Sequence, residues 1–203
     1  MPTDLLADTV PDAALWTLLG AVVFPAWLAA GLLDYVIHAR QRIERTAGPY
    51  ESALHLLQAL EVGLPVVVLL FFEITATTYA VLVACVLAHA WTSWRDTCFA
   101  SAVRPIGPAE QKAHAVLDMV PWFGLALTAL MHREALAPLL GRGVADWSLR
   151  LRDEPFAPGV VLAVLASSIA SGVVPALFEL RRGRRALANV AGNGPAVSPR
   201  EGR

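Results

Sequence analysis

The apolar residues of this chain fall in long blocks, and that feature limits its fold more than any other. A helix needs about 20 predominantly apolar residues to cross a bilayer. Stretches of that order lie at 15–37, 113–131 and 158–180. The block 53–94 has 42 residues, enough for two crossings with a short turn between them. Glu73-Ile74-Thr75-Ala76-Thr77-Thr78 is the most polar part of its middle and marks the turn, which gives spans at 53–72 and 75–94. Only 16% of the 203 residues are charged, against 56% hydrophobic, a balance foreign to a soluble domain of this size. The expected fold is an all-α membrane protein with five transmembrane helices in one domain over 1–186. A tail at 187–203, rich in Gly, Pro, Asn and Ser, reads as disordered.

The segments between the blocks set the orientation. Arg40, Arg42 and Arg45 fall on one side with Arg95, Arg104, Lys112 and the cluster Arg181, Arg182, Arg184 and Arg185. The opposite side receives an acidic N-terminus (Asp4, Asp8, Asp12), a turn without Lys or Arg and one loop of balanced charge. The positive-inside rule then places the N-terminus outside and the C-terminus in the cytoplasm, as for a bacterial inner-membrane protein. No basic residue precedes the first apolar run, so the basic n-region of a cleavable signal peptide is missing. Within the balanced loop, Trp147, Leu149 and Leu151 suit a segment lying on the membrane surface. Cys85 and Cys98 form no CxxC and no disulfide framework. A net charge of −1, with no basic block interleaved with aromatics, predicts no nucleic-acid partner.

One run occurs twice. Residues 45–55 and 104–114 both read R-x-x-G-P-x-E-x-x-x-H, as Arg45…Glu51…His55 and Arg104…Glu110…His114. Gly-Pro is a helix-start signal, because proline at the first helical turn loses no needed N–H. Glu and His four apart then project from one face, where both reach a common ion. Spans 1–2 and 3–4 become two hairpins of like orientation, each with the run at its bend. This suggests a four-helix bundle of two parallel hairpin repeats, an arrangement that places sites at the repeat interface.

The remaining ionisable residues gather at the same end. Asp34 and His38 close span 1; Glu51 and His55 open span 2, with Gln58 and Glu61 further in. His89 and Asp96 close span 3, and Glu110, His114 and Asp118 open span 4. These groups cover a depth of roughly 10–15 Å, the room a metal pair and its surroundings need. The helix dipole alone accounts for Glu51 and Glu110, but not for His55, His114 and Asp118, which lie deeper in apolar sequence where charge is costly. Asp34, His38, Glu51, His55, His89, Asp96, Glu110, His114 and Asp118 are therefore the expected metal ligands. Glu61, Arg45 and Arg104 are the expected catalytic or acid-ordering groups. His132 and Glu73 fall at the far end, outside the cluster.

The motifs DYxxHAR (from Asp34), ExxLHLLQ (from Glu51), LFFE (ending at Glu73) and RPIGPxEQxxHxxLxxxP (from Arg104) cover roughly residues 30–122. With them the chain resembles an uncharacterised family of bacterial integral membrane proteins. That resemblance supports the site residues and implies no established activity.

Mixed imidazole and carboxylate ligands suit iron, manganese or zinc, and their number suits two divalent ions. The nearest chemistry is the di-iron carboxylate bundle, although its spacing is E-x-x-H and not E-x-x-x-H. The expected function is oxidative, a hydroxylase or desaturase type of reaction on a lipid or other hydrophobic substrate, with an electron donor as partner. The alternatives are a zinc-dependent membrane hydrolase and a non-enzymatic metal- or haem-binding carrier, sensor or assembly factor.

Overall fold

The computed structural model describes residues 12–192, which are almost entirely helical. Helix α1 comprises Asp12–Leu18 and Phe24–Gln41, joined by a π-helical turn at Leu19–Val23. Helices α2 (Gly48–Phe71), α3 (Ala76–Val103) and α4 (Pro108–Met131) follow. Helix α5 comprises Pro158–Ser168 and Val174–Gly192, with a second π turn at Ile169–Val173. All five are long and apolar enough to cross a membrane. Each extends beyond its expected span at the Arg-rich end, because the turns added there carry the polar residues that end a hydropathy block. The segment expected as tail is helical as far as Gly192. Positions 193–203 lie outside the described residues, as do Asp4 and Asp8.

Local chemistry explains the boundaries. Pro49 and Pro108 sit in the first turns of α2 and α4, as the repeated Gly-Pro requires. A reciprocal capping box between Thr75 and Thr78 starts α3. The two π turns immediately precede Phe24-Pro25 and Val174-Pro175. Proline has no N–H to offer the carbonyl one turn back, and a widened turn relieves the interrupted ladder.

Side by side, α1 packs on α4, α4 on α3, α3 on α2, α2 on α5, and α5 back on α1. The fifth helix thus belongs to the bundle, which was expected to consist of the first four. Large apolar side chains such as Leu60, Leu64, Trp91, Phe123 and Leu162 face outward, while aspartates, glutamates and histidines are buried. That inversion suits a hydrocarbon surrounding.

At the end opposite the Arg-rich loops, Val68, Ile74, Tyr79, Leu82 and Ala135 form an apolar core. The connection before α5 lies over the α2–α3 turn. Its backbone pairs Glu73 with Arg150 and Ala76 with Asp146. Trp147, Leu149 and Leu151 are exposed along it. Hydrogen bonds from Ser148 and Arg150 pull the pKa of Asp146 down to about 2.

Helices α5 and α2 come into close contact at Gly183 of α5. A Cβ there would stand 2.9 Å from both Cα and N of Pro49. Backbone cannot yield as a side chain does. Gly183→Ala is therefore expected to cost about 1–3 kcal/mol, seen as a lower unfolding midpoint in detergent. Gly63→Ala, with nothing within 4 Å of its added Cβ, should leave the midpoint unchanged or higher; equal losses in both would refute the close-contact argument.

Candidate metal centre

The polar cluster is built in layers from the Arg-rich end inward. Outermost is Arg104, in the loop between α3 and α4. Its guanidinium holds both Glu51 and Glu110 and donates to Gln41 Oε1 at 2.8 Å. Burial disfavours the charge of Arg104, but hydrogen bonds to Glu51 and Glu110 raise its pKa above the ordinary arginine value, so it stays a cation. Glu51 and Glu110, the equivalent acids of the two runs, are fully buried and share this one guanidinium. Arg45, the equivalent arginine of the first run, is exposed and lies outside the cluster. The 3-10 turn Ile43–Arg45 buries Ile43 instead.

The next layer contains the imidazoles. His38, wholly buried, brings Nε2 to 3.1 Å from Glu110 Oε1 and 3.5 Å from Asp34 Oδ1. His114 Nε2 lies 3.1 Å from the same Asp34 oxygen. His55 Nε2 lies 3.2 Å from Asp96 Oδ2, to which Gln58 also donates at 3.3 Å. His55 of α2 thus meets Asp96 of α3, and His114 of α4 meets Asp34 of α1. The rings of His38 and His55 stack at 4.8 Å with 11° between their planes.

A residue that sequence reasoning missed joins this layer. Glu179 of α5 is 2% exposed, with Oε1 at 2.8 Å from His55 Nδ1 and Oε2 at 3.5 Å from His38 Nδ1. One carboxylate thus faces the Nδ1 atoms of both stacked rings and turns their Nε2 atoms toward the other acids. A carboxylate behind a ligating imidazole fixes its tautomer and orientation. The signal was present: an acid at the end of an apolar span, on the side where every other cluster acid lies. Spacing could not single it out, because α5 carries no histidine with which an acid could share a face.

Asp34, His38, Glu110 and His114 offer one ligand atom each within 4.8 Å of one another, and so do His38, Glu51 and His55. Two buried groups able to hold a metal ion thus share His38. Asp96 Oδ1 has no partner, and Asp34 Oδ1 and His38 Nδ1 have ionisable neighbours but no well-aligned hydrogen bond, so hydrogen bonding within the protein leaves part of the cluster unsatisfied.

Asp96 belongs to neither group but meets His55. Besides Arg45, three further expected residues stand apart. Asp118 accepts a hydrogen bond from Ser93. Glu61 accepts one from Thr92 at 2.8 Å, and its other oxygen lies 3.9 Å from His89 Nδ1. His89 is deeper than the cluster. At the far end of the molecule, Glu73 accepts from the Asp153 backbone and His132 packs edge-on against Trp16.

No family model, curated protein or solved structure matches this chain.

Proposed function

We propose that the cluster is a dinuclear metal centre and that the protein is an oxidative membrane enzyme, of hydroxylase or desaturase type, acting on a lipid or other hydrophobic molecule. The observation that carries this reading is the packing of ligand atoms: Asp34, His38, Glu110 and His114, and again His38, Glu51 and His55, each bring theirs within 4.8 Å of one another. Five buried carboxylates (Asp34, Glu51, Asp96, Glu110 and Glu179) gather there. Buried charge must be paired or neutralised. The guanidinium of Arg104 is held by Glu51 and Glu110, and that of Arg182 lies over Tyr35. Divalent ions held by the imidazoles would pair the remaining carboxylates.

In this reading one ion takes Asp34, His38, Glu110 and His114, and the second takes His55 with Glu51 and Asp96. Glu179 accepts the Nδ1 protons, so that each Nε2 lone pair faces an ion. Arg104 holds Glu51 and Glu110 in place. Imidazole with carboxylate favours iron, with manganese or zinc as lesser fits. A di-iron pair of this kind supplies oxidising chemistry that draws on dioxygen and an external electron donor. The exchange of aspartates between hairpins, and the one guanidinium held by both repeated glutamates, support two parallel repeats. The Arg-rich end is read as cytoplasmic in a bacterial inner membrane.

Elemental analysis of detergent-purified protein tests the proposal, alongside His38→Ala/His114→Ala. About two irons per chain are expected in the wild type, and a loss of at least half in the variant. Zinc in their place would favour metal-activated water and hydrolysis, and a Soret band would mean haem. No metal in either protein would leave a proton-sharing polar network and end the metal reading.

A further inference from the structure

Three adjoining clefts run from the polar cluster into the apolar part of the molecule. The first lies beside the polar cluster and is bounded by Trp27, Gly31, Asp34, His55 and Glu179, with Ser171 and Gly172 from the π turn of α5. The second is almost wholly apolar, walled by residues such as Val62, Leu82, Val86 and Gly124, and meets the first at Trp27 and His89. It encloses about 610 Å³ of empty space, part of it open to the surroundings. The third shares Leu19, Phe24, Val66 and Leu69 with the second and continues between α1, α2 and α5 to Phe156 and Val160.

His89 stands where the polar and apolar clefts meet. It is 3% exposed, and neither Nδ1 nor Nε2 closes a well-aligned hydrogen bond, although the backbones of Gln58 and Leu117 lie close by. Glu61 uses one oxygen on Thr92 and leaves Oε2 unpartnered, 3.9 Å from His89 Nδ1. Buried polar atoms are rarely left unpaired, and a donor-acceptor ligand between these two would satisfy both. The acids around the junction (Asp34, Glu61, Asp118, Glu179) would repel an anionic head, and the cluster's buried cation, Arg104, is already taken by Glu51 and Glu110. The apolar walls beyond suit a hydrocarbon chain.

We infer that the clefts bind a single-chain amphiphile with an uncharged hydroxyl head, a fatty or isoprenoid alcohol. Its hydroxyl sits between His89 and Glu61, and its chain runs through the apolar clefts toward Phe156. The carbon that bears the oxygen then faces the polar cluster. This substrate class rests on reading the cluster as a centre that acts on hydrophobic molecules.

The test is thermal unfolding of the full chain in detergent with 1-hexadecanol, and with palmitate as the anionic comparator. Saturating hexadecanol should raise the midpoint by about 5 °C or more, and palmitate should not. His89→Leu should abolish the alcohol shift. Gly124→Leu, whose Cβ would meet Leu19 at 3.8 Å inside the second cleft, should lose the response to hexadecanol and keep one to 1-decanol. An equal shift with palmitate, or a full hexadecanol shift in His89→Leu, would overturn the inference. Should His89→Leu not fold, an unchanged hexadecanol response in Gly124→Leu overturns it as well. Metal content measured on the same samples separates the two readings. A metal-free protein with an alcohol-specific shift keeps this site and ends the metal proposal, and metal-loaded protein without a shift does the reverse.

Discussion

Arg104→Gln is expected to remove about 3–5 kcal/mol of stability, enough to prevent most of the protein from accumulating folded in the membrane. Glu51 and Glu110 are fully buried and both bind this guanidinium. Without it, two buried carboxylates lose the guanidinium they share. The loss comes from the stranded charges more than from the missing bonds, so Arg104→Gln/Glu51→Gln should recover part of it. Arg104→Lys keeps the charge but not the planar fork that spans two carboxylates and Gln41, and should fall between. Arg45→Gln should change stability by no more than about 0.5 kcal/mol, because the side chain is exposed. Size-exclusion profiles and melting curves of the four variants would decide. Equal effects at Arg45 and Arg104 would contradict the arrangement described here.

The second large effect is expected at Glu179. If the cluster holds metal as proposed, Glu179→Ala should weaken its binding about 10–100-fold while the helices still assemble, because the carboxylate would stand behind the ligands and not be one of them. The contacts at issue are those to His55 Nδ1 at 2.8 Å and His38 Nδ1 at 3.5 Å. Without an acceptor at Nδ1, each imidazole is free to rotate or to take the other tautomer, and its Nε2 is no longer aimed at the acids. Glu179→Gln keeps an acceptor oxygen and should lose less. Competition against a chromophoric chelator measures the affinity directly. Glu73→Ala, at the other end of the molecule, serves as the control and should bind metal as the wild type does. Wild-type affinity in Glu179→Ala would show that the stacked pair needs no third group.

Much of the candidate site was legible because helix periodicity places acids and imidazoles on one face. Asp34 with His38, and Glu110 with His114, are pairs of that kind, and all four join one buried group. The two copies of the repeated run look alike in sequence yet diverge in space. The loop before Gly107 folds Arg104 inward, whereas the turn at Ile43–Arg45 buries Ile43 and leaves Arg45 outside. His89 satisfied the same spacing rule as the others, seven residues from Asp96, but its two-turn offset carries it past the cluster to the junction of the clefts.

By itself, the sequence determined that five helices are long and apolar enough to span a membrane, and that their acids and histidines collect at one end. Both follow from one-dimensional properties, the hydropathy of a segment and the position of a residue along it. Only the tertiary structure decided which acid meets which imidazole. His55 meets Asp96 across 41 residues of chain and Glu179 across 124. Such pairings depend on the order in which helices pack and on the rotation of each about its axis. Those are set by many apolar and backbone contacts at once, such as Gly183 against Pro49. The insertion of α5 between α1 and α2, which carries Glu179 to two histidines, is a property of that packing and of no single segment.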